Sequence, residues 1–300
     1  MSGQGDSTRA IVFALGANFT IFATKGVAAF ITGSGAMLAE TVHSLADCGN
    51  QLLLLLGLRQ ARTPPSPDYP LGYGKAIYFW SFLVAVILFS VGGMFSLYEG
   101  VHKLQHPEPL KQWWWAVGVL VVSIVAEAVS MRACLVEVDK ARGSRSLVRW
   151  FRESRQAELV VIFGEDLAAL LGLVLALFAV VLAVLTGNPM WDALCTLAIG
   201  VLLIVVAVFV AIEVKAMLIG QSADPEVAVA LRGFLEQRPE IARVFSLITF
   251  QLGNDLMVAV KAQLNQSTTA KEDLINNIEK ELKRQFPQVR WSFFEPDNAA

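Results

Sequence analysis

The sequence predicts an α-helical membrane protein of six transmembrane helices with a small αββαβ domain at its C-terminal end. Three observations predict it. Of the 300 residues, 55% are hydrophobic and 17% charged, with a mean hydropathy of +0.55, far from the balance of a chain dissolved in water alone. The apolar residues gather into runs of about 20 or more, the length a helix needs to cross the hydrocarbon core of a bilayer. From Gln221 onward the composition turns to that of a water-soluble domain. The same figures exclude other classes. A net charge of -2 leaves no basic excess for nucleic acid. Cys48, Cys134 and Cys195 sit in or beside apolar runs with no CxxC spacing, so they read as packing residues rather than a disulfide framework.

Backbone polar groups find no water in lipid, so the runs must be helices. They are Ala10 to Ile31, Gly35 to Leu58, Ala76 to Val101, Trp113 to Leu135, Leu159 to Leu185 and Trp191 to Leu218. Met1 to Arg9 is polar and lacks the pattern of a cleaved leader, so the first run is expected to remain as a span. Six spans place both termini on one side, and loop charge says which. Arg59, Arg62 and Lys75 follow span two, and Arg132, Lys140, Arg142, Arg145, Arg149, Arg152 and Arg155 cluster after span four. Lys103 and Lys111 alone lie between spans three and four, and the Thr186-Gly-Asn-Pro turn has no cation. Both termini are therefore expected in the cytoplasm, with a bacterial inner membrane the best fit. Lys25 can snorkel to the headgroups or meet a carboxylate, with snorkelling the preferred reading; Asp192 is expected to cap a helix, and Trp113 to Trp115 with Trp191 to anchor span ends. His102 and His106, in the outer loop, could bind metal loosely, with the solvated reading of the pair preferred.

The soluble segment opens with a helix start at Ser222-Ala-Asp-Pro-Glu226. Strands are expected near Val244 to Phe250 and Leu256 to Leu264 around the Gly253-Asn-Asp255 turn, and from Val289 to Phe294. Between them, Thr269 and Glu272 have capping-box spacing ahead of the stripe Leu274, Ile278, Leu282. The order αββαβ describes a ferredoxin-like two-layer fold. The chain thus divides into a cytoplasmic N-terminus (1–9), a transmembrane domain (10–219) and a cytoplasmic domain (220–300). Thr63 to Pro70 is a Pro-rich connector.

An ionisable residue at the centre of a spanning helix costs roughly 2.5–3.5 kcal/mol on insertion scales, so each one asks for a function or a partner. In span two, His43 and Asp47 are i and i+4 on one face, with Asn50 continuing the stripe and Glu40 preceding it. An imidazole nitrogen and a carboxylate oxygen one turn apart can share a divalent cation. Span five offers Glu165 and Asp166, neighbours about 100° apart around the helix, so one of them is expected to face His43. Span four offers Glu127. The competing reading makes these residues hydrogen-bonded staples between helices. No HExxH, Ser/Lys or Cys/His constellation lies inside the spans, so an enzyme is not expected.

Taken together, these residues make the chain resemble the cation diffusion facilitator family of metal/proton antiporters. The segment Thr32 to Asp47 is similar to the family's span-two signature, with its ligand pair on His43 and Asp47. Tyr69-Pro-Leu-Gly-Tyr-Gly-Lys75 is similar to the family's His-Pro-x-Gly-His-Gly-Lys loop, and Asp166 falls at the span-five Asp. Glu165-Asp166, Glu127 and the turn before Asp192 look most like the branch of zinc transporter 9. The resemblance implies a site of His43, Asp47, Asp166 and a further ligand. Ile162 stands where better-known members carry a His or Asp, so Glu165 is expected to supply that ligand, with Asn50, Glu127 and Glu40 as further ligands or proton relays. Tyr69 and Tyr73 replace the histidines of a second loop site, which is expected to be absent. The C-terminal domain has neither His nor Cys, so it is expected to serve dimerisation, with Asp255, Glu295 and Asp297 as weak metal ligands at most.

Metal loading needs neutral His and ionised carboxylates, so binding displaces protons and reprotonation releases the ion. The expectation is efflux of a divalent cation, zinc first, by proton antiport and alternating access in a homodimer, with no prosthetic group. The alternatives are a cobalt, manganese or iron exporter, or a membrane metal sensor or scaffold that moves nothing.

Overall fold

The computed structural model describes residues 3–32, 35–107, 113–265 and 271–298, with backbone alone at 3–11, 14, 17, 28–29, 31–32, 35–40, 42–43 and 271. In chain order the helices are α1 (Gly3–Thr32), α2 (Gly35–Ala61), α3 (Ala76–Gln105), α4 (Trp113–Arg142), the short α5 (Leu147–Glu153), α6 (Ala157–Thr186) and α7 (Met190–Ile219). Each apolar run of the sequence lies within or almost within one of them. Among the described residues, α3, α4, α6 and α7 are long and apolar enough to cross a membrane, each with 30 residues. At 1.5 Å per residue that is about 45 Å, more than the ~30 Å of hydrocarbon to be crossed. Helices α1 and α2 pack on each other, α1 also against α4 and α2 against α3.

Helix α3 contains a π-helical segment, Leu88–Met94. Beyond it, a Cβ added to Gly200 of α7 would lie 2.9 Å from the Leu97 backbone nitrogen. The two helices therefore meet through a small residue, as packing without a hydrophobic drive favours. Asp192 does not cap α7: Pro189 holds the cap position, and Asp192 pairs with Lys103 of α3 at 2.9 Å. The expected cap is overridden by a charge partner on the neighbouring helix.

Helix α5 was hidden in what the sequence presents as an Arg-rich loop, being too short to show a period. Ser146 starts it, its hydroxyl accepting the Arg149 N–H at 3.3 Å. Of its apolar side chains Trp150 is the one fully buried, edge-on against Phe163 of α6, centroids 5.9 Å apart.

The C-terminal segment follows the order read from the sequence: α8 (Pro225–Glu236), β1 (Ile241–Leu252), β2 (Asp255–Leu264), α9 (Lys271–Gln285) and β3 (Val289–Pro296). Asp224 caps α8, accepting the Glu226 N–H at 3.0 Å. The small mixed sheet has the order β1-β2-β3. β1 and β2 run antiparallel with Phe250 opposite Met257, and β2 and β3 parallel with Val258 opposite Ser292. Central β2 alternates between buried and half-buried positions, and its buried Leu256, Val258, Val260 and Ala262 meet Leu231 and Leu235 of α8 and the stripe Leu274, Ile278, Leu282 of α9. Thr269 lies outside the described residues. Of the carboxylates expected to bind metal weakly, Asp255 pairs with Arg290 at 2.8 Å and Asp297 with Lys261 at 2.9 Å.

This segment is seated on the helices at three places. Arg145 reaches Asp224 at 2.6 Å, the Arg155 Nε donates to the Ser222 carbonyl at 2.9 Å, and the Gly253 N–H donates to the Tyr78 hydroxyl at 3.0 Å. At the third place the backbones abut. A Cβ on Gly74 would lie 2.2 Å from the Leu252 carbonyl oxygen, and Gly253 has φ +66, a conformation that itself favours glycine.

Candidate metal site

Three helices bring polar side chains together inside an otherwise apolar bundle. Helix α2 contributes Asp47 and Asn50, α4 contributes Glu127 and Ser130, and α6 contributes Glu165 and Asp166. Relative exposures of 4% for Glu127, 3% for Glu165 and 1% for Asp166 put all three carboxyls in the interior. The spacing explains the convergence. Asp47 and Asn50 are i and i+3 on α2, Glu127 and Ser130 are i and i+3 on α4, and each pair shares a face.

The adjacent pair on α6 divides its attention as the 100° offset demands. The Asn50 amide donates to Glu165 Oε1 at 3.0 Å, and the Ser130 hydroxyl donates to Asp166 Oδ2 at 3.2 Å. Glu165 thus faces α2 and Asp166 faces α4. Asp47 is half-buried, and Asp47, Glu127, Glu165 and Asp166 all lie within one another's electrostatic reach. Four like charges in a medium of low dielectric need compensating positive charge.

One source of it overturns an expectation. Lys25 does not snorkel: it is 3% exposed, donates to the Ser44 hydroxyl of α2 at 3.0 Å, and its charge acts on Glu127. The carboxylates draw the ammonium inward where lipid alone would send it to the headgroups. Nearby, the Asn18 amide donates to Gln51 at 2.9 Å, a second polar tie between α1 and α2.

The donor set suits a cation. Among the described residues, Asn50 Oδ1 and Glu165 Oε2 are buried without a hydrogen-bond partner, while the other oxygen of Glu165 is held by the amide of Asn50. Unfilled acceptor oxygens on a hydrogen-bonded pair of side chains, one of them on a carboxylate, are what a divalent ion would satisfy. Ile162 is buried in the apolar core and carries no donor. Among the described residues, no three His, Cys, Asp or Glu side chains converge into a metal-holding group. The backbones of Glu40 and His43 are in α2, and their side chains lie outside the described residues.

Sequence reasoning missed Ser130, Ser44, Asn18 and Gln51. Ser130 was recoverable from its i+3 spacing to Glu127; the others are small amides and hydroxyls whose partners lie on a different helix.

A profile of the cation efflux transmembrane domain matches residues 11–219. The chain belongs to the cation efflux family. Within it, this cation efflux protein falls in the zinc transporter 9-like branch. It is 34% identical over 84% of its length to the Xenopus laevis protein named proton-coupled zinc antiporter SLC30A9, mitochondrial, and 34% identical over 76% to the Homo sapiens protein of that name. It covers 45% and 41% of those proteins, less than half the length of each. The Bacillus subtilis manganese efflux system protein MneP is 24% identical, with 94% of this chain and 93% of the relative covered. Family and apolar helices together make the chain an integral membrane protein.

Proposed function

We propose that the protein exports a divalent metal cation, zinc first, in exchange for protons. The observation that carries this reading is the grouping of half-buried Asp47 with buried Glu127, Glu165 and Asp166, a concentration of negative charge that either protons or a divalent ion can neutralise. His43, Asp47, Asp166 and Glu165 hold the ion, and Asn50, Glu127 and Glu40 serve as further ligands or carry protons to and from it. Loading ionises carboxylates and strips the imidazole of its extra proton, so metal binding releases protons. Apparent affinity therefore falls as pH falls, and the protonated side of the membrane is the side of release.

Six spans, α1 and α2 included, enclose this site in a transport domain of residues 10–219. Residues 1–9 and the ferredoxin-like domain at 220–300 lie in the cytoplasm of a bacterial inner membrane, and that domain pairs two copies into a homodimer. Loop charge supports the orientation, and the names of the SLC30A9 relatives support zinc and proton coupling. A second reading, manganese, has its own support: the described donors are all oxygens, which suit Mn(II), and MneP is named for manganese efflux.

Proteoliposomes decide it. Zinc is expected to accumulate against its gradient when a pH difference is imposed, and Asp47→Ala or Asp166→Ala to abolish that flux. Flux of manganese but not zinc selects the second reading. No flux of zinc, cobalt, manganese or iron in the unaltered protein replaces both with a sensor or scaffold.

A further inference from the structure

The chain contains three histidines, and two of them stand together outside the carboxylate cluster. His102 and His106 lie at the C-terminal end of α3, i and i+4 apart, with ring centroids 5.0 Å apart and planes inclined by 33°. The spacing is held to the last residue of the helix. His106 is the C-terminal cap of α3, and its N–H still donates to the His102 carbonyl at 2.9 Å. From Tyr78, where the soluble domain touches α3, to His102 is about 36 Å along the helix axis at 1.5 Å per residue.

We infer that His102 and His106 form a two-imidazole binding site for a borderline divalent cation of the Zn(II), Ni(II) or Cu(II) class. The geometry carries it. With metal–nitrogen bonds near 2.0 Å, an ion bound in the plane of each ring sits about 3.2 Å from each centroid, and centroids 5.0 Å apart then subtend about 100° at the ion, close to the tetrahedral value. Imidazole pairs suit these metals, and water completes the coordination. Both rings are exposed, so an ion reaches them without any opening of the bundle. Tyr98 stacks on His102 at 6.4 Å and braces its ring. The neighbouring Lys103 is neutralised by Asp192 at 2.9 Å, which removes the charge that would otherwise repel a cation.

The site itself rests on the two imidazoles alone. That it lies at the mouth where exported metal emerges rests on the orientation proposed above.

The test is copper(II) binding to the untagged full-length chain in detergent, read by electron paramagnetic resonance. A signal with two equatorial imidazole nitrogens is expected, and it persists in His43→Ala, where His102 and His106 are the histidines that remain to supply it. His102→Gln and His106→Gln should each reduce it to one nitrogen and weaken binding at least about tenfold, since even outer partners of a metal ligand are worth 10–100-fold. A two-nitrogen signal that survives either Gln variant, or its absence from the unaltered chain, overturns the proposal. Vesicle flux measured on the same preparations separates the two readings: loss of transport with the copper signal intact counts against the antiporter and leaves this site standing.

Discussion

On α8, Leu231 and Leu235 are sealed against the sheet while Val229 stands 73% exposed. On α7, Phe209 stands 55% exposed, and the residues sealed elsewhere in the bundle include Glu165, Asp166 and Glu127. One chain therefore follows two burial rules. In water the apolar face turns inward because leaving water is favourable. In lipid the outside is as apolar as any core, association rests on close packing and polar ties, and the costly groups are the ones that must be enclosed. In the soluble segment the informative residue is the apolar one that is hidden; in the bundle it is the charged one.

Substitutions can break or sharpen this contrast. The largest effect is expected at Glu165. Glu165→Gln keeps a carbonyl oxygen to accept from Asn50, so a mere helix staple would survive, whereas a cation ligand would not. Transport is expected to fall by about 100-fold or more, in keeping with the direct loss of a ligand, while the melting temperature in detergent holds. Equal flux from the two proteins would return Glu165 to the staples.

Next come two arginines placed at exposed apolar positions. Phe209→Arg meets lipid and is expected to cost roughly 2.5–3.5 kcal/mol of insertion free energy, readable as the inserted fraction in a translocation assay. Val229→Arg meets water and is expected to change stability by less than about 0.5 kcal/mol. Similar costs at the two sites would remove the two-solvent contrast. Between these extremes lies Tyr78→Phe, at the junction of the two regions. It deletes the acceptor for the Gly253 N–H and is expected to cost about 1 kcal/mol, seen as faster proteolytic clipping near Gln221 with the bundle intact.

The sequence made the helices legible because a bilayer demands long apolar runs, and it made β2 and the Leu274, Ile278, Leu282 stripe legible because each has one clear period. Short or interrupted periods escaped: α5 has one buried anchor, Trp150, and the π-helical Leu88–Met94 interrupts no apolar run. At the site, the list of carboxylates was readable from the cost of charge in lipid. Their partners were not, since which of Glu165 and Asp166 meets Asn50 depends on the rotation of α6. Lys25 was misread because snorkelling considers one helix and the lipid, whereas the decisive charges stand on α2 and α4.

The contact between Tyr78 and Gly253 joins residues 175 positions apart. At about 5–20 residues per second of synthesis, the ribosome delivers Gly253 roughly ten to thirty-five seconds after Tyr78. Through that interval the Gly74 end of α3 has no β-hairpin turn to rest on. The seat is built well before its occupant arrives, so this junction closes only when synthesis has passed the β1–β2 turn and has β2, α9 and β3 still to follow.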